Sequence, residues 1–220
     1  MWSSEVTNMI ITGIWETLYM TLVSTLVGYV IGLPMGIILT VSDKDGIKPN
    51  AVLYKILDVI ANIVRSVPFI ILLVLLIPFT RLVVGKSYGS TATIVPLVIA
   101  AAPYIARMVE SSLKEVDAGV IEAARSMGAS NFTIITKVML VEARTSLLVG
   151  ATITLGTILG YSAMSGAVGG GGLGAIAIRY GYYRYQTDIM LVTIVILVVL
   201  VQILQGIGMM LSRKLDKRKA

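Results

Sequence analysis

Residues 145–178, TSLLVGATITLGTILGYSAMSGAVGGGGLGAIAI, run through thirty-four positions without one charged side chain. A helix needs about 20 mostly apolar residues to cross the hydrocarbon of a bilayer, and a stretch this long and apolar reads as a membrane span. Working outward, four more uncharged runs follow the same logic, at 17–42, 66–80, 87–106 and 189–212. The run at 66–80 is short for a span, so its helix is expected to begin near Val52. It would lie amphipathically along the interface before entering the bilayer past Arg65. The expectation is an all-α integral membrane protein of five transmembrane helices, with 1–220 forming one transmembrane domain.

Composition agrees with that class. Of 220 residues 56% are hydrophobic and 14% charged, and the mean hydropathy is +0.90; soluble domains carry roughly 25% charged residues. There is no Cys and no His, which removes disulfides, thiolate and imidazole chemistry and the commonest transition-metal ligands together. The first 15 residues hold no Lys or Arg and no short apolar core with a cleavage site, so no signal peptide is expected. A net charge of +6 does not point to nucleic acid, because five of the 18 cations (Arg213, Lys214, Lys217, Arg218 and Lys219) follow directly on an apolar run. Placing that tail inside puts Lys44, Lys48, Lys55, Arg107, Lys114, Arg125, Lys137 and Arg144 inside as well, 13 cations in all. Only Arg81, Lys86, Arg179 and Arg184 fall outside. Under the positive-inside rule the N-terminus is external and the C-terminus cytoplasmic.

One polar stretch interrupts the spans. Residues 111–142, SSLKEVDAGVIEAARSMGASNFTIITKVMLVE, read as two short helices at a corner, on the cytoplasmic side between spans 3 and 4. Asp117 can cap the first, and Val120, Ala124 and Met127 give it an apolar stripe. Gly128 falls where a helix ends in a left-handed residue. Ser130 can cap the second helix, with Phe132, Ile135 and Val138 along one side. Such a loop either docks a soluble partner through Glu122 and the small pair Ala123 and Ala124, or folds back on its own bundle.

Within the spans, Pro34 lies between Gly32 and Gly36, and Pro68, Pro78, Pro96 and Pro103 interrupt the next two spans; neighbouring helices must re-satisfy the freed backbone groups. Gly156 and Gly160 form a small-xxx-small pair suited to close helix approach. Arg65, costly at membrane depth, is expected to snorkel or to pair with Asp58. Tyr161, Ser162 and Met164, hydroxyls beside a thioether, could line a path for a small amphiphilic solute. The string Gly169-x-Gly171-x-x-Gly174 follows no strand, and is read as a packed or flexible elbow, not a nucleotide site. Residues 179–185, RYGYYRY, read as an interfacial aromatic belt. An intramembrane protease would need paired Asp or a Ser with its base inside the spans, and a secondary carrier would show internal repeats; neither is visible.

The sequence Glu122-Ala123-Ala124-x3-Gly128, followed after nine residues by Val138-x-Leu140, resembles the EAA motif of ATP-binding-cassette importer permeases. Val138 stands where that motif has Ile, and Val141 where it has Pro, so the exit of the second helix lacks the motif's rigid residue. Further blocks, RSVPFIILL at 65–73, IPFTR at 77–81, AAPYIARMVE at 101–110 and GYSAMSGAVG at 160–169, are similar to the methionine-importing branch of that family. The resemblance runs from about Trp15 to the C-terminus. It implies a permease subunit in a bacterial cell membrane that catalyses no reaction itself. It also implies a homodimer with two ABC ATPase subunits, which bind ATP and Mg, and an extracytoplasmic methionine-binding (lipo)protein. Glu122, Ala123, Ala124 and Gly128 would then be the ATPase contacts on a coupling helix.

Overall fold

The computed structural model describes residues 4–215, and Lys217, Arg218 and Lys219 of the basic tail lie outside them. Among the described residues every regular element is helical. The chain opens with α1 (Ser4–Ser42), 39 residues and about 58 Å long at 1.5 Å per residue. It continues through α2 (Ala51–Ser66), α3 (Phe69–Leu75), α4 (Ile77–Val84) and α5 (Ser90–Lys114). The polar loop forms α6 (Ala118–Ser126), α7 (Asn131–Thr133), a π-helical turn (Ile134–Met139) and α8 (Leu140–Glu142). After α9 (Arg144–Ser165) a 3-10 turn (Gly166–Val168), α10 (Gly172–Ile176) and a second π turn (Ala177–Tyr182) lead into α11 (Thr187–Leu215).

Four stretches are long and apolar enough to span: α1, α5, Arg144–Tyr182 and α11. A fifth candidate is α2 with α3, whose axes bend by 101° at the break. The bend falls at Val67-Pro68, where proline denies the preceding residue a helical conformation; Val67 is extended, with ψ 124°. The helix does begin near Val52 as the short apolar run demanded, at Ala51, with Asn50 accepting the Leu53 N–H at 3.0 Å.

Pro78 likewise falls at a break, at the start of α4 just after α3 ends at Leu75, but the remaining prolines of the spans do not interrupt their helices. Pro34 sits inside an unbroken α1, and Pro96 and Pro103 inside an unbroken α5. The close approach between spans is also not where the sequence placed it. Nothing lies within 4 Å of a side chain added at Gly160, and one at Gly156 would meet only the flexible amide of Gln205. The backbone contact is instead made by Gly28, Gly32 and Gly36 of α1. A Cβ at Gly32 would fall 2.5 Å from the Ala102 carbonyl oxygen, and at Gly36 2.5 Å from that of Ala106. The register 28 to 101, 32 to 102 and 105, 36 to 106 and 109 makes α1 and α5 parallel.

Met20, Leu97, Ala101, Ile105, Val109, Leu113 and Ile158 form the main core between α1, α5 and α9. In α11 only Ile189, Thr193 and Ser212 are buried, so most of its apolar surface faces outward. The chain thus has a loop end, where residues 42–50 and 111–144 gather. The opposite end holds the start of α1, the turn at 85–89 and residues 166–186.

Candidate functional site

At the loop end, local sequence builds the corner. The Asp117 carboxylate accepts the Gly119 N–H at 2.8 Å and starts α6. Gly128, at φ +79°, ends it: its N–H reaches the Arg125 carbonyl at 3.0 Å and the Ala129 N–H reaches that of Ala124 at 3.1 Å. This pair of bonds is a Schellman closure, which needs a left-handed residue at that point. A Cβ at Gly128 would meet nothing within 4 Å, so conformation alone requires the glycine. Ser130 then accepts the Thr133 N–H at 3.2 Å and begins the second helix.

The apolar stripes differ from those the sequence suggested. In α6 the side facing the bundle is Ile121 and Ala124, while Val120 is 42% and Met127 81% exposed. In the second helix Ile134 and Met139 are buried, five residues apart, and Phe132 is 76% exposed. Ile135 and Val138 are only partly buried. The π turn is the cause: its i to i−5 bonds, such as Leu140 N–H to the Ile135 carbonyl, advance the buried face by five residues instead of four.

The loop therefore folds back on its bundle and still presents a free side. Ala124, Ile134 and Met139 join the main core with Leu113 and Ala143. Burying a side chain the size of Ile134 or Met139 contributes about 2 kcal/mol. On the other side Glu122 and Ala123 are exposed, beside Met127 and Phe132. Of the residues the motif singled out, Glu122, Ala123 and Gly128 are open, and Ala124 is enclosed within the chain at 5% exposure. Arg125 fastens α6 to the α1–α2 turn, its Nη2 donating to the Ile47 carbonyl at 2.8 Å. Between them lies a cavity of about 580 Å³ bordered by Asp43, Ile47, Leu113, Ile121, Glu122 and Arg125.

Just above this corner is an ionic cluster that sequence reasoning missed. Glu110 of α5 is almost wholly buried and accepts from Arg107 at 2.7 Å, Lys114 at 2.8 Å and the Tyr54 hydroxyl at 3.3 Å. Arg107 also pairs with Asp58 and donates to the Asn62 side chain at 3.0 Å. Lys114 bonds Asp43 at 2.7 Å, and its ammonium is the main reason the Asp43 carboxyl sits below the usual carboxylate range. Asp58 is therefore the partner of Arg107 and not of Arg65, which is exposed and makes no ion pair among the described residues. The spacing of Arg107, Glu110 and Lys114 on one helix face was the available signal.

Of the three path residues on α9, Tyr161 and Met164 share a side and Ser162 is turned into the bundle. Tyr161 is half-buried and stacks on Phe69 with ring centroids 4.6 Å apart. Ser162 is buried and its hydroxyl donates to the Leu159 carbonyl at 2.7 Å. Met164 is 52% exposed and, three residues on, shares the Tyr161 side of the helix.

At the opposite end, the glycine run packs as the elbow the sequence suggested. Added side chains at Gly166 or Gly174 would fall within 2.5 Å of backbone atoms. The Glu16 carboxylate accepts the Gly172 N–H at 2.6 Å, and the Thr17 hydroxyl accepts that of Leu173 at 2.9 Å. The Gly89 N–H bonds the Gly169 carbonyl at 2.8 Å. No group of His, Cys, Asp or Glu among the described residues is arranged to hold a metal.

Comparison with known proteins bears on both ends. The family model described as "Binding-protein-dependent transport system inner membrane component" matches residues 28–217. A Vibrio cholerae protein named "Probable D-methionine transport system permease protein MetI" is 50% identical over 217 residues, 99% of this chain and 96% of its own. The Bacillus subtilis "Methionine import system permease protein MetP" is 44% identical over 222 residues, covering 99% of this chain and all of that one. Among solved structures, an inward-facing form of the MetNI methionine ABC transporter superposes with a TM-score of 0.96. It is 50% identical and covers 98% of this chain and 100% of its own. An amino acid ABC transporter at 22% identity and a TM-score of 0.78 shares the fold.

Proposed function

This chain belongs to the binding-protein-dependent transport system inner membrane components, and from that premise we propose that it is the membrane-spanning subunit of an ATP-driven methionine importer. It makes no covalent bond itself. Two copies enclose the route along a two-fold axis, each crossing the bilayer five times with its N-terminus outside. Two separate ABC ATPase subunits, which bind ATP and Mg, dock on the paired loop ends in the cytoplasm. An extracytoplasmic methionine-binding (lipo)protein delivers solute to the other face of the bacterial inner membrane. The orientation rests on the 13 to 4 split of cations.

The observation that carries this proposal is the two-sided corner at residues 117–142. Glu122 and Ala123, with Met127 and Phe132, offer an exposed surface with one charge and large apolar side chains, suited to a groove on a partner. Ala124, Ile134 and Met139 tie the same helices to the core. A partner that pushes α6 moves Ile121 and Ala124 against Leu113 at the end of α5. Through Arg125 it also moves the α1–α2 turn. Buried contacts of this kind transmit displacement because a packed interior does not deform continuously. The bundle then alternates between two packings, and ATP binding and hydrolysis by the ATPases bias the choice. Tyr161 and Met164, on one side of α9, are candidates to line the route; Ser162 is buried, its hydroxyl bonded to the Leu159 carbonyl of the same helix.

The test is uptake of radiolabelled methionine into proteoliposomes holding this chain and its ATPase. Glu122→Lys and Gly128→Val should insert normally, lose ATP-dependent uptake by tenfold or more, and copurify less ATPase. Wild-type uptake and ATPase recovery in both variants would reject the docking role, and transport of another solute in place of methionine would reassign the substrate.

A further inference from the structure

The cavity at the end of the bundle away from the coupling corner has an unusual lining. Its volume is about 600 Å³, within the range of small-molecule sites. Its walls come from the first turns of α1, the turn before α5, the glycine loop at 166–172 and the π turn at Ala177–Tyr182. Two charged side chains border it, Glu16 and Arg179, of opposite sign, and neither makes an ion pair among the described residues. Glu16 spends one oxygen on the Gly172 N–H. Met9, Tyr88, Ile176 and Tyr183 supply the apolar remainder of the wall.

The glycines keep this space open. Gly169, Gly171 and Gly172 all have φ between +71° and +88°. A side chain at Gly171 would lie 2.9 Å from a Glu16 carboxylate oxygen, and one at Gly172 2.7 Å from the Thr17 hydroxyl. The loop thus brings bare backbone to the carboxylate and holds it in one place. From Glu16 to Ser42 the helix climbs about 39 Å, more than the roughly 30 Å of hydrocarbon, so Glu16 sits at the bilayer rim and not at its centre. A carboxylate and a guanidinium that border the same half-apolar cavity without pairing with each other complement a molecule carrying both charges and an oily chain.

We propose that this cavity binds a zwitterionic amino acid with an apolar side chain, Glu16 receiving the ammonium and Arg179 the carboxylate. It is a receiving site at the external mouth, occupied between release from the delivering protein and entry into the route. This inference rests on the importer function proposed above and specifies where its solute first meets this chain.

The test uses the absence of cysteine in the chain. Tyr88→Cys, in the complete permease–ATPase complex in proteoliposomes with the ATPase inside, presents one external thiol on the cavity wall to an impermeant maleimide. L-Methionine should slow the labelling at least threefold. The protection should vanish when Glu16→Gln or Arg179→Gln is added, while labelling without solute keeps its rate. Glu16→Gln retains an oxygen for the Gly172 N–H, so it removes charge and not the loop's anchor. Methionine analogues lacking either the amino or the carboxyl group should not protect. A thiol that does not react, one that reacts at the same rate with methionine present, or protection that survives both variants overturns the site. ATP-driven uptake in the same vesicles separates the two proposals. Uptake without protection removes only this site, and protection without uptake removes only the importer.

Discussion

Glycines with the same side chain serve three different physical ends here, and substitutions separate them. Gly32 is excluded from change by contact, because any Cβ would strike a carbonyl oxygen of α5 that cannot move aside. Gly32→Val should lower the stability of the detergent-solubilised protein by about 3 kcal/mol, the upper end of the usual overpacking cost, read as a fall in the thermal unfolding midpoint. A Cβ at Gly160 would meet nothing within 4 Å outside its own helix, and Gly160→Ala should leave that midpoint unchanged or raise stability by up to about 1 kcal/mol. Gly128 is required by its backbone angle in open space, so Gly128→Asn should retain most function that Gly128→Val loses. The sequence made the Gly128 assignment possible, because a glycine after a helical stripe has one common use. It could not rank Gly32 above Gly160: both lie in apolar spans four residues from another glycine, and only the packing partner distinguishes them.

Helices were legible as elements where their period was regular. Both caps of the corner, Asp117 and Ser130, were visible in the sequence, since short polar side chains at such points have a defined hydrogen-bonding role. The buried faces were not, because the π turn at Ile134–Met139 rotates everything after it relative to an α-helical count. The ionic cluster between α2 and α5 went unseen for another reason: it depends on the chain doubling back so that Tyr54, Asp58 and Asn62 meet Arg107 and Glu110. Its energetics are asymmetric. Glu110 is buried and faces two cations, so Glu110→Gln should cost on the order of 3 kcal/mol, the scale for stranding buried charge. Lys114, 43% exposed, should cost less than about 1 kcal/mol on conversion to Met, the scale of surface pairs. Thermal unfolding of the two variants side by side checks the order.

Across the whole molecule, membrane class, helical content and family could all be read from apolar runs and one motif, since a bilayer leaves few alternatives to helices. The path of the chain needed coordinates at one place: the 101° break at Val67-Pro68 sets α2 off from the short apolar run, which α3 and then α4 carry to the turn at 85–89. The proposed five crossings make a direct prediction in this cysteine-free chain. A thiol introduced by Met127→Cys should react with an impermeant reagent only in inside-out vesicles, and one introduced by Tyr185→Cys only in right-side-out vesicles. Labelling of both from one side would require an even number of crossings between them and discard the topology.

The bare contact of α1 with α5 has a mechanical corollary. Over three successive turns α1 contributes no side chain to the contact, only the short side chains of Ala101, Ile105 and Val109 filling it from α5, and α1 extends from Glu16 at one face to the turn holding Asp43 at the other. Little that is long or flexible lies between them to absorb a displacement, so the two rods are expected to slide or tilt together. A push at one end of α1 would then be felt at the other as in a crowbar, not as in a spring.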